Sequence, residues 1–304
     1  MTFKTKRTIK KYFFVYSLLA YSLISFLIFY VYVNFKSILL AFQSIDAVGN
    51  TAFAGLENFK QFFNFLSENS NDPTLKIGLT NSIKTYFIGL IGQPICLLTS
   101  FYIFKQKLFY RAYRFIVMIP QIVSSFVLCL VFFKFVENAL PTVMCDIFGL
   151  ETFPNLLGDP NYTYETTLFY SIWSTLAVTI LLFSNAMQAI DNSIIESSRL
   201  DGCNYFQELW YIVLPLMMGT VAVGFITGIG GIFTSAGPLV AFWEFAAPPE
   251  TMNIGYYFTQ QVMRNKENPS VYPMLAAMGL VFTFISVPVT LLVKKLFDRF
   301  TPEV

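Results

Sequence analysis

The chain has 304 residues, of which 55% are hydrophobic and only 12% are charged, whereas about a quarter of the residues in a soluble domain are charged. Together with a mean hydropathy of +0.59, this composition excludes an ordinary soluble protein and indicates a membrane protein. The net charge of +2 gives no basic surface for nucleic acid, and the chain contains no histidine, which excludes catalysis by histidine and most zinc sites.

Six segments without a charged residue are long enough to cross a bilayer, which takes about 20 residues. Because a charge in the middle of a membrane is costly, they predict six transmembrane helices and an all-α polytopic fold. The fifth segment, Leu209–Trp243, has 35 residues with six glycines after Pro215, so we expect a helix from about Leu216 that gives way to irregular backbone. The predicted spans cover about residues 12–35, 85–104, 115–133, 166–190, 216–240 and 271–293.

The distribution of charge predicts the orientation of these spans. With a cytoplasmic N-terminus, 13 of the 20 Lys and Arg residues lie inside and 12 of the 18 Asp and Glu residues lie outside, as the positive-inside rule requires. We therefore expect residues 1–11 and 297–304 to be cytoplasmic and residues 12–296 to form the transmembrane domain. The alternative, a cleaved signal peptide, is disfavoured because the first apolar run has 24 residues and such peptides use about 7–15.

Two predicted outer segments are long. Residues 36–84 contain apolar side chains at helical spacing, which predict a short amphipathic helix on the outer leaflet. Residues 134–165 contain three prolines and a Gly-Asp-Pro sequence, a composition typical of a loop. The apolar positions of the amphipathic helix are Leu56, Phe59, Phe62, Phe63 and Leu66.

The predicted inner loop 190–215 carries signals for two short helices. Ser193 followed by Glu196 is a capping box, which predicts a helix from Ile194, and Gly202 suits a left-handed residue at the end of that helix. Asn204 followed by Gln207 predicts the start of a second helix, which would reach about residue 214 before the next span begins at residue 215. We expect a helix–Gly–helix unit between the fourth and fifth spans.

This loop resembles the EAA loop of permease subunits of bacterial binding-protein-dependent ABC importers. The family pattern is Glu-Ala-Ala, three residues, Gly, and Leu-Pro about a dozen residues later, and Asp before the Gly is similar to the carbohydrate-uptake, maltose-type branch. Serines replace the two alanines here. Residues 55–59 and 111–120 also resemble the family. The matching loop residues are Glu196, Ser197, Ser198, Asp201, Gly202, Leu214 and Pro215.

The resemblance implies a non-catalytic subunit in the bacterial cell membrane. It would pair with a second homologous permease and two cytoplasmic ATPases, and it would receive solute from an extracellular binding protein. The loop would dock on an ATPase, with Glu196 and Asp201 meeting basic groups or backbone donors. The sequence lacks a phosphate-binding G-x-x-x-x-G-K-S/T motif, and its four cysteines lack the spacing of metal ligands, so we expect no cofactor or metal.

Polar and aromatic side chains in the fourth and fifth spans are the candidates for the solute path. A sugar site needs hydroxyl or amide partners and an aromatic surface. The alternative is that the Ser and Thr hydroxyls bond to backbone carbonyls and pack helices. The candidates are Tyr170, Ser171, Trp173, Ser174, Thr175, Phe233, Thr234, Trp243 and Glu244.

The leading functional hypothesis is import of a sugar or oligosaccharide. The alternative within the family is a non-sugar solute such as a polyol phosphate or an amino acid. A stand-alone secondary transporter is disfavoured because no charge lies in mid-membrane and no inverted repeat is visible. An intramembrane enzyme is disfavoured because no nucleophile and base are paired.

Overall fold

A computed structural model of the chain describes residues 3–46, 49–67 and 73–300. Four of the six predicted spans correspond to long helical stretches, whereas the third and the fifth are broken. The helices are α1 (Phe3–Ser25), α2 (Val33–Leu40), α3 (Glu57–Leu66), α4 (Thr74–Phe104), α5 (Tyr110–Ile122), α6 (Ser125–Lys134), α7 (Leu140–Phe148), α8 (Pro160–Gln188), α9 (Asn192–Leu200), α10 (Tyr205–Glu208), α11 (Leu214–Leu216), α12 (Met218–Gly231), α13 (Leu239–Trp243), α14 (Ile254–Arg264) and α15 (Tyr272–Asp298).

The chain divides into two compact units, and the smaller consists of Met1–Asn69 and Asn265–Phe282. Its first helical stretch joins α1 to α2 through a π-helical segment, Phe26–Tyr32. From Phe14 to Leu40 this stretch is long and apolar enough to cross a membrane, and none of its most apolar window is buried. Residues 14–35 of the predicted span 12–35 lie within it.

A small hairpin and an amphipathic helix follow in the same unit. Strands β1 (Gln43–Ile45) and β2 (Thr51–Phe53) pair antiparallel, which the all-α prediction did not include. Helix α3 confirms the helix predicted for residues 56–66. Its buried Asn58 donates from Nδ2 to the carbonyls of Ala41 and Gln43 at 2.8 and 2.7 Å, so this amide ties α3 to the start of the hairpin.

The larger unit consists of Ser70–Arg264 and Thr283–Val304, and α4 and α8 pack against each other within it. Ser100 Oγ donates to the Ile180 carbonyl at 3.0 Å across this contact. Both helices begin before the predicted spans 85–104 and 166–190, because they continue through Lys84 and Glu165, the charged residues that bounded those predictions. Helix α8 begins at Pro160, where the Asp159 side chain accepts from the Asn161 N–H.

The third predicted span, 115–133, is not one helix. Helix α5 ends at Ile122, Val123 and Ser124 have extended backbone, and α6 begins at Ser125. The helical path then runs through Phe135–Ala139 and α7, so the predicted loop 134–165 is helical to Phe148. The charges that ended the predicted span do not interrupt this path, since Lys134 Nζ lies 2.9 Å from a Glu137 carboxylate oxygen.

The fifth predicted span, 216–240, is also corrected. Helix α12 ends at Gly231, and the backbone is irregular before the short α13. The preceding helix continues through a π-helical segment, Leu209–Val213, to Leu216, where the path bends by 68° into α12. Pro215 lies in the last turn before the bend and does not begin the span, and its missing N–H weakens that turn.

Five stretches of the described residues are long and apolar enough to span a membrane, and the bent pair Tyr205–Leu216 and Met218–Gly231 makes a sixth if it counts as one span. The sixth predicted span, 271–293, corresponds to Pro269–Asp298. Of the predicted cytoplasmic segment 297–304, residues 301–304 lie outside the described residues.

Candidate functional site: a polar cavity and an anchored loop

A cavity of about 710 Å³ lies within the larger unit, a volume typical of small-molecule sites. Helices α4, α8 and α12, the break between α5 and α6, and the irregular segment 232–253 all contribute to its wall. The described wall residues with polar side chains are Asn81, Ser82, Thr85, Tyr86, Gln93, Gln121, Ser125, Cys129, Tyr164, Thr167, Tyr170, Ser171, Ser174, Thr175, Thr179, Thr227, Ser235, Thr251 and Asn253.

The predicted polar face of α8 lies on this cavity. Tyr170, Ser171, Ser174 and Thr175 all line it. The Ser171 hydroxyl donates to the Thr167 carbonyl at 2.9 Å, and the hydroxyls of Ser174 and Thr175 donate to the Ser171 carbonyl at 3.2 and 2.9 Å. Because each hydroxyl hydrogen is used within the helix, the oxygens can only accept hydrogen bonds from a solute.

The other predicted solute-path residues do not line the cavity. Trp173 stands about 200° around α8 from Ser171, and its ring lies 6.3 Å from that of Phe132 and 6.0 Å from that of Tyr170. It therefore supports Tyr170 from behind the wall. The predicted residues Phe233, Thr234, Trp243 and Glu244 belong to the irregular segment but are absent from the wall.

Helix α4 supplies wall residues that the sequence analysis missed. Tyr86 and Gln93 are two helical turns apart and face the glycines of α12. A Cβ atom at Gly228 would lie 2.9 Å from the Tyr86 ring, and one at Gly224 would lie 3.7 Å from Gln93 Oε1. Ser82, Tyr86, Gly89 and Gln93 follow one another at intervals of four, three and four residues, which places them on one face of a helix. This spacing was visible in the sequence.

Hydrogen bonds from α4 hold the irregular segment in place. The buried Asn81 donates from Nδ2 to the carbonyls of Glu250 and Met252 at 2.7 and 2.9 Å, and Ser82 Oγ accepts from the Ile254 N–H at 2.9 Å. Glycine is needed at position 255, since a Cβ there would lie 2.4 Å from the Ser235 carbonyl carbon. The side chains of α4 thus replace the bonds that a regular helix would make.

Glu244 lies in this segment in a strained backbone conformation, with φ +53° and ψ −100°. The next carbonyl, that of Phe245, accepts from Gln260 Nε2 at 2.8 Å and from Arg264 Nη2 at 2.5 Å. Since α14 supplies both donors, Glu244 is held in an unfavourable backbone conformation by tertiary bonds. Its role in the structure is therefore a sharp change of chain direction.

The first helix of the loop 190–215 begins two residues earlier than predicted. Asp191 is the N-cap, because its side chain accepts from the Ser193 N–H at 2.9 Å, and α9 starts at Asn192. This bond holds the pKa of the Asp191 carboxyl below its usual range. The predicted capping box of Ser193 and Glu196 does not form, since Asp191 already satisfies the first-turn donor.

The second half of the loop follows the prediction. Gly202 has φ +81°, in the left-handed region. Asn204 and Gln207 form a reciprocal capping box, with Asn204 Oδ1 accepting from the Gln207 N–H at 2.9 Å and Gln207 Oε1 accepting from the Asn204 N–H at 2.8 Å. Apart from Gly202 and its two chain neighbours, no heavy atom lies within 4 Å of a Cβ built at Gly202, so a larger residue there would meet backbone strain without a steric clash.

Helix α9 has one exposed and one buried face. Glu196, Ser197 and Asp201 are exposed, whereas Ile195 and Ser198 are buried. Ser198 Oγ donates to the Ile195 carbonyl at 2.8 Å. Of the two serines that replace the family alanines, only Ser197 is therefore available to a partner on the surface.

The buried face of the loop is anchored to the ends of α4 and α8. Ile195 and Leu209 join an apolar cluster with Phe101 and Phe183, and the predicted Leu214 packs against this cluster. The buried Glu208 pairs with Lys105 at the end of α4, with carboxylate oxygens 2.5 and 2.6 Å from Nζ. The loop is therefore fixed to the helices that form the cavity wall.

A metal site is not apparent. Within residues 3–46, 49–67 and 73–300, no three Cys, Asp or Glu side chains come together to hold an ion.

Comparison with known families assigns the chain to a transport family. Residues 83–304 match the family described as the inner membrane component of binding-protein-dependent transport systems. This match confirms the family resemblance carried by the loop 190–215 and includes every residue of that loop.

Individual relatives are distant but extensive. The arabinooligosaccharides transport system permease protein AraP of Bacillus subtilis (strain 168) is 24% identical over 288 residues, which cover 92% of this chain and 87% of that protein. The multiple sugar-binding transport system permease protein MsmF of Streptococcus mutans serotype c (strain ATCC 700610 / UA159) is 26% identical over 198 residues. These residues cover 64% of this chain and 65% of that protein.

A solved structure shares the fold. A chain of a bacterial ABC transporter involved in the import of the acidic polysaccharide alginate superposes with a TM-score of 0.76. The alignment covers 98% of this chain and all of that chain at 18% sequence identity. At this identity the likeness establishes the fold alone.

Proposed function

Because the chain belongs to the family of inner membrane components of binding-protein-dependent transport systems, we propose that it forms half of the translocation pathway of an ATP-driven importer. The solute is a sugar or oligosaccharide delivered by an extracellular binding protein. The names of AraP and MsmF support this class of solute, and the uncharged polar cavity supplies hydroxyl and amide groups suited to it.

The partners of this proposal are a second homologous permease and two cytoplasmic ATPases. The loop 190–215 docks on an ATPase, with Glu196, Ser197, Asp201 and Gly202 at or near the contact. Leu214 and Pro215 lie at the other end of the loop, where the chain turns into α12. Movement of α9 reaches the cavity because the same loop is anchored to α4 through the pair of Lys105 and Glu208 and to α8 through the apolar cluster that contains Phe183.

The division of α9 into two faces is the observation that carries this proposal. A plain connector has no need for a buried face, whereas a helix that transmits force must be fixed on one side and free on the other. The buried Ile195 and the exposed Glu196 are adjacent in sequence and meet this condition. Exposed acidic groups can accept bonds from basic or backbone donors of an ATPase.

Single cysteines in a cysteine-free background test the docking. We expect Ser197→Cys to cross-link to the ATPase, and the neighbouring Ser198→Cys, which is buried, to give little product. In labelling with a membrane-impermeant reagent, Ser67→Cys and Asn155→Cys should react from outside and Ser197→Cys only after permeabilisation. Labelling of Ser197→Cys in intact cells would contradict both the orientation and the function.

A further inference from the structure

The wall of the cavity is polar but carries no formal charge. None of the described wall residues is Asp, Glu, Lys or Arg. We propose that this chain's side of the pathway is selective for neutral polyhydroxy solutes, meaning unmodified sugars and polyols, over carboxylated or phosphorylated ones. The inference rests on the proposed function and narrows its solute class.

The hydroxyls of α8 favour solutes that donate hydrogen bonds. Thr167, Ser171 and Thr175 each donate to a carbonyl within their own helix, at 2.7, 2.9 and 2.9 Å, and so offer only lone pairs to the cavity. A sugar hydroxyl can donate to these oxygens. A carboxylate or phosphate oxygen has no hydrogen to donate and is repelled by them.

Two buried polar atoms on the wall lack a partner. Gln93 Oε1 and the Tyr164 hydroxyl are buried without a hydrogen bond of normal geometry, and Thr85 is the side chain that interacts with Tyr164. A buried polar group without a partner costs about 1–3 kcal/mol, so these atoms mark the places where a solute hydroxyl would be bound. Gln93 would accept from such a hydroxyl and Tyr164 would donate to one.

Binding an anion at this depth would require a counter-charge. Buried carboxylates and phosphates in proteins are paired with Arg, Lys or metal ions, and the described wall offers none of these side chains. Two helix N-termini reach the wall, that of α6 at Ser125 and that of α14 beside Asn253. In α14 the Ile254 and Tyr256 N–H groups already donate to Ser82 and Asn253. A helix end supplies about half of an elementary charge, which does not offset the loss of hydration of a full charge.

The binding experiment uses the assembled transporter, with its partner permease and ATPases, in lipid nanodiscs without the binding protein. The probes are malto-, cello-, xylo- and galacto-trisaccharides, together with trigalacturonate, an alginate trisaccharide and glycerol 3-phosphate. We expect at least one neutral probe to raise the unfolding temperature, and the acidic probes to leave it within error at tenfold higher concentration.

Variants place the binding in this cavity. Gln93→Leu and Tyr164→Phe should each weaken binding of the active neutral probe about tenfold. Tyr162→Phe on the exposed side of α8 is the matched control and should have no effect, since Tyr162 does not line the cavity. Gln93→Lys should gain measurable affinity for an acidic probe. Unchanged binding in both Gln93→Leu and Tyr164→Phe would overturn the assignment of these two residues.

The outcomes separate the two proposals. A shift produced by an acidic probe and lost in Gln93→Leu would overturn the neutral selectivity and leave sugar import standing. If no carbohydrate of either class shifts the unfolding temperature, both the selectivity and the sugar-import function are contradicted.

Discussion

The two ends of α4 hold their neighbours by different chemistry. At one end Lys105 secures the loop 190–215 through a buried ion pair with Glu208. Toward the other end Asn81 and Ser82 secure the irregular segment 232–253 through neutral hydrogen bonds to backbone groups. The cavity residues Tyr86 and Gln93 lie between the two attachments.

The ion pair makes the attachment of the loop 190–215 more rigid than the hydrogen-bonded attachment of the irregular segment 232–253. Removing one partner of a buried ion pair leaves an uncompensated charge, which costs about 3–5 kcal/mol, whereas a lost neutral bond to a buried group costs about 1–3 kcal/mol. We infer that the loop and the Lys105 end of α4 move together. The irregular segment is the part of the cavity wall that can rearrange at lower cost.

The largest effect is expected at the ion pair. Glu208→Gln should lower the free energy of unfolding by about 3–5 kcal/mol, because Lys105 would stay buried without a counter-charge. The double variant Lys105→Met with Glu208→Leu should recover most of this loss. Thermal unfolding of the purified complex measures both.

The exposed pair of Lys60 and Glu57, 3.8 Å apart, provides the control. Glu57→Gln should change stability by less than about 1 kcal/mol, since solvent screens this pair. A Glu208→Gln variant as stable as this control would contradict the buried attachment.

The second prediction compares two asparagines that make the same bonds. Asn81 and Asn58 each donate twice from Nδ2 to backbone carbonyls. Asn81→Leu and Asn58→Leu should each cost about 1–3 kcal/mol in unfolding free energy. Only Asn81→Leu should also alter the apparent affinity for solute, measured by uptake into proteoliposomes, because Asn81 holds the cavity wall. Equal affinities in the two variants would mean that the segment 232–253 does not shape the site.

The third and smallest effect concerns the glycines of α12. Gly228→Ala should cost about 1 kcal/mol, because the new methyl group would lie 2.9 Å from the Tyr86 ring and move it. Gly224→Ala meets the Gln93 amide at 3.7 Å, an ordinary contact, and should be neutral. Solute affinity in proteoliposomes should fall for Gly228→Ala alone. The same affinity in both would show that the position of Tyr86 does not matter for solute binding.

The same two regions differ in what their sequence revealed. The second helix of the loop was predicted because a capping box and a left-handed glycine act over a few residues, as Asn204, Gln207 and Gly202 do. The first helix was misplaced because Asp191 and Ser193 are both good caps, and the local pattern does not decide between them.

The cavity was predicted only in part, because it is assembled from distant segments. The polar face of α8 was visible as a local spacing, whereas the role of Gln93 depends on the opposing Gly224, more than a hundred residues later in the chain. Composition does not show which side of α8 faces the cavity, and Trp173 lies on the side away from it. The break of the third span at Val123 and Ser124 likewise has no charge to mark it.

The central claim is that the exposed face of α9 couples this chain to an ATPase. Its most direct test is ATP hydrolysis by the reconstituted complex, with and without solute-loaded binding protein. Val at position 202 would be strained at φ +81° by about 1–2 kcal/mol, whereas Asn tolerates this region. We expect Glu196→Lys and Gly202→Val to lower the solute-stimulated rate about tenfold in a folded, membrane-inserted protein, and Gly202→Asn to retain most of it. Wild-type stimulation in both Glu196→Lys and Gly202→Val would contradict the account, because the loop would then be a plain connector.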